Sequence, residues 1–476
     1  MFTQEEAKKA TNGICEGNWT EITSVSIDSR NLSQGDLFIA LKGPNNDGHD
    51  YVDMALTNGA TAALVENNFK SKTPNQALLR VQDTMQGLHD LGQFKRANTR
   101  AKIIGITGSV GKTGTKELLS IALAPFGVTH ASQKSYNNHW GVPLTLANMP
   151  NDCQYGVFEM GMNHEGELTK LSAQVRPDIA VITNVEPAHI GHFKNVEAIA
   201  HAKIEIFSGM SKGGIAILNI DNPYYPLLEK AALEKELTVY SFGEDEEADA
   251  RLVDCKLSSD QSKGTATILG EKIRYKLAIP GKHIILNSLA ALLVVKVLGC
   301  DLDCAKEALK KSEPIEGRGA RFLIDIEKGQ APLTLIDESY NASPASMDAA
   351  IKVLEMVDPQ ADGRRIAVLG DMLELGPEGP ALHAALANPL LHARTDKVFT
   401  CGPQMEALFS VLPPDWQGAH ADDSRKLAEE LVNFVQPGDV ILVKGSLGSR
   451  MAYVVQALQN LNFNHQSNLE TKHNAL

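Results

Sequence analysis

The chain has 476 residues, 43% of them apolar, and a net charge of −13; at about 150 residues per domain this length predicts roughly three domains, each able to bury a core. The charge argues against a general nucleic-acid surface, and no apolar run approaches the ~18–20 residues of a membrane span. The opening MFTQEEAKKATNG lacks the charged-then-apolar build of a signal peptide, and Cys15, Cys153, Cys255, Cys300, Cys304 and Cys401 form no CxxC pair or Cys/His ligand set, so a cytosolic protein with reduced thiols is expected.

Residues 1–85 read as a small α/β unit. Val25–Arg30 alternates as a strand, Gly35-Asp36 marks a turn and Leu37–Leu41 gives a second strand. Tyr51–Asn58 is a short amphipathic helix and Ala62–Val65 a third strand. Ser29, Arg30 and the polar loop Lys42–His49 are candidates for binding a substrate, with a solvated loop the equal alternative. Gln86–Lys102 predicts a helix leading into a second unit.

That unit is organised around Ile103–Glu117, IIGITGSVGKTGTKE. An apolar strand breaks into the glycine turn Gly108-Ser109-Val110-Gly111, and Lys112, Thr113, Gly114 and Thr115 open an amphipathic helix. Strand, glycine turn, Lys-Thr, helix is the plan of a phosphate-binding loop: backbone N–H groups curl around phosphate oxygens, Lys112 reaches the outer phosphates and the Thr113 hydroxyl can ligate Mg²⁺. The general pattern would place Gly where this chain has Ile106. ATP or GTP is the expected ligand.

Lys134–Pro143, KSYNNHWGVP, is a turn that could lie at the carboxyl edge of the sheet, where α/β ligands bind. Tyr155–Gly161 predicts a strand carrying Glu159, and Asp178–Val185 another that runs to His189. A carboxylate and an imidazole at two strand ends near a phosphate loop are candidate Mg²⁺ or water ligands; either alone reads more readily as structural. The helix Val196–Met210 carries Lys203, which reads from local sequence as a solvent lysine. Gly213–Asn219 predicts a strand, Glu244–Asp254 a solvated acidic loop or edge. An apolar helix ending near Gly299 sets His283 and Asn287 one turn apart.

The turn-rich Glu313–Gly319 marks a boundary. Beyond it Leu333–Glu338, Arg365–Gly370, Val398–Thr400 and Asp439–Lys444 predict strands with polar residues at their carboxyl ends. The polar stretch from about Asn464 reads as a frayed tail.

In this order, TGSVGKTGTKE, SYNN-x-x-GVP at Ser135–Pro143, EMGM at Glu159–Met162, TNVEPAH at Thr183–His189, Asp337–Pro344 and LGDMLELG at Leu369–Gly376 closely resemble the Mur ligase family over almost the whole chain. The last two stretches resemble the branch that adds a dipeptide. A folylpolyglutamate synthase, the ligase that adds the third peptide residue, and a nucleotide-gated binding module are the weighed alternatives.

The resemblance implies an α/β fold of three domains. Residues 1–85 would be a small N-terminal α/β domain binding the UDP-substrate, and 86–315 a central parallel-sheet ATPase domain. Residues 316–463 would be a Rossmann-like C-terminal domain binding the dipeptide and closing on ATP, with 464–476 a polar tail. It implies an ATP-dependent ligase of peptidoglycan synthesis, cytoplasmic and monomeric, whose substrates are UDP-MurNAc-tripeptide and D-alanyl-D-alanine. By the same resemblance, Lys112 and the amides from Gly108 to Gly114 hold the ATP phosphates. Thr113 and Glu159 ligate one Mg²⁺ and His189 a second. Lys203 matches the family lysine that takes up CO₂ as a carbamate able to bind metal, the reverse of its bland reading. His283 and Asn287 would contact adenine, and Arg318 the phosphates. Asn137, Asn138, Ser29 and Arg30 would hold the UDP-sugar, and Asp337, Glu338, Tyr340, Asn341 and Lys444 would approach nucleotide and dipeptide. Relatives often carry Asp where this chain has Glu338, and Asn where it has Ile284.

Overall fold

The computed structural model describes residues 1–19, 21–71, 73, 75–188 and 190–462; His189 and the tail from Asn464 lie outside them. Three sheets of five, nine and six strands follow one another along the chain.

The first sheet runs, edge to edge, Ile14–Glu16, Leu78–Val81, Ala62–Glu66, Asp36–Ile39 and Ser24–Ser26. It is parallel except at the Ile14–Glu16 edge. The strand expected over Val25–Arg30 is shorter. At Asp28 the chain turns, because the Ser26 hydroxyl accepts from Asp28 N (3.1 Å) and the Asp28 carboxylate accepts from Arg30 N (3.0 Å), a local alternative to ladder pairing. The helix Gln4–Thr11, opened by a Thr3–Glu6 capping box, has no counterpart in the sequence reading.

The central sheet has the order Thr129–Ala131, Tyr155–Glu159, Lys102–Thr107, Ile179–Ile182, Ile215–Asn219, Thr238–Gly243, Ala250–Leu257, Ser262–Ile268, Glu271–Leu277. It is parallel as far as Ala250–Leu257 and antiparallel beyond. Helices Lys112–Leu123 and Lys282–Val297 cover one face; Glu167–Val175, Val196–Ile204 and Tyr225–Glu234 cover the other. Three expectations are corrected. The helix predicted over Gln86–Lys102 is Thr84–Asn98, started by the Asp83 cap, and Lys102 already belongs to the central strand. The helix predicted to Met210 stops at Ile204 and continues as the tighter turn Glu205–Phe207. The acidic stretch Glu244–Asp254 is a loop only at first: the Asp221 carboxylate accepts from Glu244 N and Asp245 N. From Ala250 it is a strand, paired along its length with Ser262–Ile268 and at Ala250 and Arg251 also with Thr238–Gly243, because Ala250 and Leu252 face the core.

The third sheet has the order Ala320–Ile324, Leu333–Glu338, Val440–Lys444, Arg365–Gly370, Lys397–Cys401, Gln417–Ala421, antiparallel only at its first strand. Glu338 and Lys444 are paired in register at the carboxyl ends of neighbouring parallel strands. One tie between units is side-chain: Asn148 accepts from Val25 N and donates to Val25 O, both at 2.8 Å, in the manner of one further strand residue.

At the opposite end of the third sheet, Asp439 is fully buried and accepts from Arg364 Nη2 at 2.8 Å, Arg364 N at 2.8 Å and Gln436 N at 2.9 Å. Asp439→Ala removes the counter-charge of the guanidinium, which among the described residues keeps only Phe434 O as a hydrogen-bond partner (2.9 Å), and leaves two backbone donors unpaired, so it should destabilise this unit by about 3 kcal/mol or more. Urea denaturation checks this, and an unshifted midpoint would refute it.

Candidate active site

The strand Lys102–Thr107 lies inside the central sheet and delivers its loop at the carboxyl edge. Gly108 has φ +150, and a β-carbon there would collide with the Thr183 hydroxyl; Gly111 has φ +85, and its β-carbon would meet the Asn287 amide at 2.9 Å. Both positions therefore require glycine. The Thr183 hydroxyl donates to Val110 O (2.6 Å), Ser109 N donates to Asn184 O (2.9 Å) and Ser109 Oγ donates to Glu186 O (2.9 Å). The loop is thus fastened to the next strand end rather than free to collapse.

No side chain caps the helix Lys112–Leu123, which starts from Gly111. Its first N–H groups and dipole are left for an anion. Lys112 Nζ donates to Gly108 O at 2.6 Å, which holds its charge over the loop. Burial lowers the Lys112 pKa; Glu159 opposes that shift and Arg318 adds to it. No atom lies within 4 Å of where a Gly114 β-carbon would stand.

Glu159 is 1% exposed. Its Oε2 accepts from Thr113 Oγ1 at 2.9 Å and its Oε1 from Asn137 Nδ2 at 2.7 Å. Ser135 Oγ stands 3.3 Å from Thr113 Oγ1 and accepts from Arg318 Nη2 at 3.1 Å. The Arg318 guanidinium lies over the Tyr340 ring, 4.3 Å from its centroid. Thr113, Glu159, Asn137, Arg318 and Tyr340 thus converge, and Ser135 is the joint between them. Asn138 serves otherwise: its Oδ1 accepts from Gly141 N at 3.0 Å and stops the turn before the helix Gly141–Ala147.

Lys203 is 2% exposed and its side-chain amine has no hydrogen bond among the described residues, so the solvent-lysine reading is wrong. Burial first, then the Lys112 charge, push its pKa well below the usual lysine value, with Glu205 pulling the other way. Both effects favour the uncharged, nucleophilic form of the amine over the ammonium. Among the described residues no group of three or more His, Cys, Asp and Glu gathers as a metal cage. A hydroxyl and a carboxylate oxygen side by side, at Thr113 and Glu159, do suit a hard cation that takes its other ligands from phosphate and water.

The acids of the third sheet divide. Asp337 is buried and accepts from Gly317 N and Ser339 N, each at 3.0 Å, so it pegs the inter-domain turn to its strand. Glu338 instead pairs with Lys444 Nζ at 3.3 Å, and that ammonium also donates to Asn341 O at 2.9 Å. His283 stands exposed in the first turn of the helix Lys282–Val297. Asn287 meets the phosphate loop at Gly111.

Ser29 and Arg30 share no described hydrogen bond with this cluster. Arg30 is exposed and clamps Asp28 at 2.7 Å. That clamp, with a smaller contribution from Lys134, holds the Asp28 pKa down to about 2.

Family models match in chain order: "Mur ligase family, catalytic domain" over residues 21–96, "Mur ligase middle domain" over 106–295 and "Mur ligase, glutamate ligase domain" over 324–447. The chain is 35% identical to a UDP-N-acetylmuramoyl-tripeptide–D-alanyl-D-alanine ligase of Rickettsia prowazekii, over 94% of this chain and 97% of that one. It is 34% identical to the ligase of the same name from Escherichia coli, over 94% and 96%. Among solved structures it is similar to MurF from Acinetobacter baumannii, with TM-score 0.82, 29% identity and coverage of 96% and 99%. It is also similar to a MurF ligase of Thermotoga maritima in complex with ADP, with TM-score 0.75, 28% identity and coverage of 92% and 97%.

Gly108→Ala would force a side chain into the left-handed region and against Thr183. It should weaken ATP binding by about tenfold or more, roughly 1.4 kcal/mol. Calorimetric titration with an ATP analogue checks this; unchanged affinity would remove the loop from the site.

Proposed function

The chain belongs to the Mur ligase family, and we propose that it joins D-alanyl-D-alanine to UDP-MurNAc-tripeptide at the expense of ATP. The products are UDP-MurNAc-pentapeptide, ADP and phosphate, in the synthesis of peptidoglycan precursors. The observation that carries this reading is 34–35% identity to ligases of that name over nearly the full length of both chains.

A carboxylate is a poor electrophile. The γ-phosphoryl group of ATP is first transferred to the terminal carboxylate of the tripeptide, giving ADP and an acyl phosphate. The dipeptide amine then attacks the acyl carbon, a tetrahedral intermediate expels phosphate, and the amine loses a proton to leave an amide. The protein's part is positioning and charge neutralisation. Lys112 and the uncapped helix N-terminus hold the phosphates. Arg318, oriented by Tyr340 and Ser135, brings a fixed charge from the third domain to the transferring group. Lys444, steadied by Glu338, adds another cation at the facing sheet edge. Asn287 and His283 lie on the side of the loop assigned to the adenine.

Mg²⁺ bound by Thr113 and Glu159 would neutralise charge on the transferring phosphoryl group. Lys203 is assigned to carbamylation: in its unprotonated form the nitrogen would bond to the carbon of CO₂ and release one proton, leaving an anion able to support metal binding. The buried, unpaired amine and its depressed pKa support this. His189 is assigned to a second Mg²⁺ on the resemblance alone. Asn137, Asn138, Ser29 and Arg30 are assigned to the UDP-sugar, and Asp337 to the turn that delivers Arg318. Domain limits at 1–85, 86–315 and 316–463, a monomeric state and a cytoplasmic location belong to the same proposal; among the described residues no helix is long and apolar enough to cross a membrane.

Phosphate release from ATP and Mg²⁺ should require both UDP-MurNAc-tripeptide and D-alanyl-D-alanine, with a UDP-pentapeptide product by mass. Release with neither would point to a nucleotide-gated module instead. Lys203→Ala should lower kcat by about a hundredfold or more. It should also abolish a carbamate carbon signal that the wild type gives with ¹³C-bicarbonate; a surviving signal would refute the lysine assignment.

A further inference from the structure

Lys116 lies one helical turn beyond Lys112 and, unlike it, is wholly buried, at 0% exposure. A buried ammonium is costly unless all three of its donors are used. Here they are: Nζ donates to Ser132 O at 2.6 Å and to Lys134 O at 2.9 Å, and pairs with Glu117 Oε1 at 2.7 Å. Two of the three partners are backbone carbonyls of one loop, 16 and 18 residues away.

That loop reaches the whole site. Ser132 Oγ accepts from Glu159 N at 3.2 Å, Ser135 Oγ meets Thr113 and Arg318, and Asn137 donates to Glu159. Its Lys134 adopts φ +47, a left-handed conformation that a residue with a side chain takes only where its surroundings compel it. The carbonyl of this same strained residue is one that Lys116 grips. Within the loop, Tyr136 packs against the apolar core that holds Leu37 and Leu64 of the first domain.

We propose that Lys116 is a positioning residue that couples the phosphate-loop helix to the 132–138 loop, so that seating the nucleotide orders the loop on which substrate, Glu159 and Arg318 meet. The substrate's identity rests on the function proposed above; the coupling itself does not. Lys116 pairs with no acid of the site itself: its partners are Glu117 on its own helix and the carbonyls of Ser132 and Lys134. It fixes one helix to one loop, through which the three domains share a geometry.

The test compares wild type, Lys116→Met and Lys116→Arg. Adenylyl imidodiphosphate with Mg²⁺ should protect amides 132–138 of the wild type from hydrogen exchange. Lys116→Met should bind that analogue within about threefold of wild type yet show none of the protection. In turnover its KM for UDP-MurNAc-tripeptide should rise about tenfold or more, with KM for ATP changed less than about threefold. Lys116→Arg, which keeps charge and donors but not their spacing, should fall between the two. Wild-type protection and KM in Lys116→Met, or parallel loss of nucleotide and substrate binding, would overturn the proposal. Should Lys116→Met not fold, Lys116→Arg decides: partial protection supports the coupling and full protection overturns it. Absence of turnover in the wild type would refute the functional reading and leave the exchange comparison standing.

Discussion

The structure depends on one carboxylate that cannot stand alone. Glu159 ends a strand inside the sheet, where an unpaired charge would cost several kcal/mol. Thr113 from the phosphate-loop helix and Asn137 from the following loop occupy its two oxygens, and its own N–H is taken by Ser132. The demand that a buried acid be paired thus brings three separate segments to one point. The same contacts set a hydroxyl and a carboxylate oxygen side by side, the pair to which the proposed function assigns a Mg²⁺.

Around that point the domains are fastened by few but specific ties. Asp337 uses its buried carboxylate to hold the turn at Gly317, and the turn presents Arg318 to Ser135. Tyr340 follows the same strand and supports the guanidinium face. Farther along the interface, Gly191 N donates to Glu374 O at 2.9 Å, where the LGDMLELG stretch meets the central domain. His383 and Ser446 hold that stretch in place by accepting from Met372 N and Leu373 N. The first and central domains are joined differently: Leu88, Leu91, Leu144 and Ala147 share one apolar core with Phe2, Leu37 and Leu64.

The phosphate loop and the strand ends were legible in the sequence because their signals are local: an apolar run, then glycines, then Lys-Thr. The sheet strands carrying Glu159, Asp337 and Lys444 announced themselves in the same way. Lys203 did not, because burial of a lysine is a property of what packs over it, and nothing in AHAKIEIF says that the helix faces inward. Ser135 and Lys116 were passed over for a related reason: their partners lie 16 to 183 residues away. Asp337 and Glu338 are indistinguishable in the sequence; strand alternation, which points neighbours to opposite faces, assigns one to the turn and the other to Lys444. Strands of three or four residues, such as Ile14–Glu16 and Leu78–Val81, were missed because so short a run carries too little alternation.

A chain with net charge −13 that handles a nucleoside triphosphate, a UDP-sugar and a carboxylate must oppose its own sign. Screening resolves part of this, since exposed charges beyond a Debye length of about 8 Å scarcely act on the site. Burial resolves the rest. Lys112, Lys116, Lys203 and Lys444 are drawn into low-dielectric surroundings and Arg318 is fixed over an aromatic ring. There each interaction is several times stronger than at the surface. The acids whose oxygens meet these cations or Thr113 are themselves occupied: Glu159 by Thr113 and Asn137, Glu338 by Lys444, Glu117 by Lys116. The local field is therefore positive where phosphate must sit, whatever the total. The acidic surface, concentrated in stretches such as Glu244–Glu247, is left to repel other chains and keep the protein dispersed.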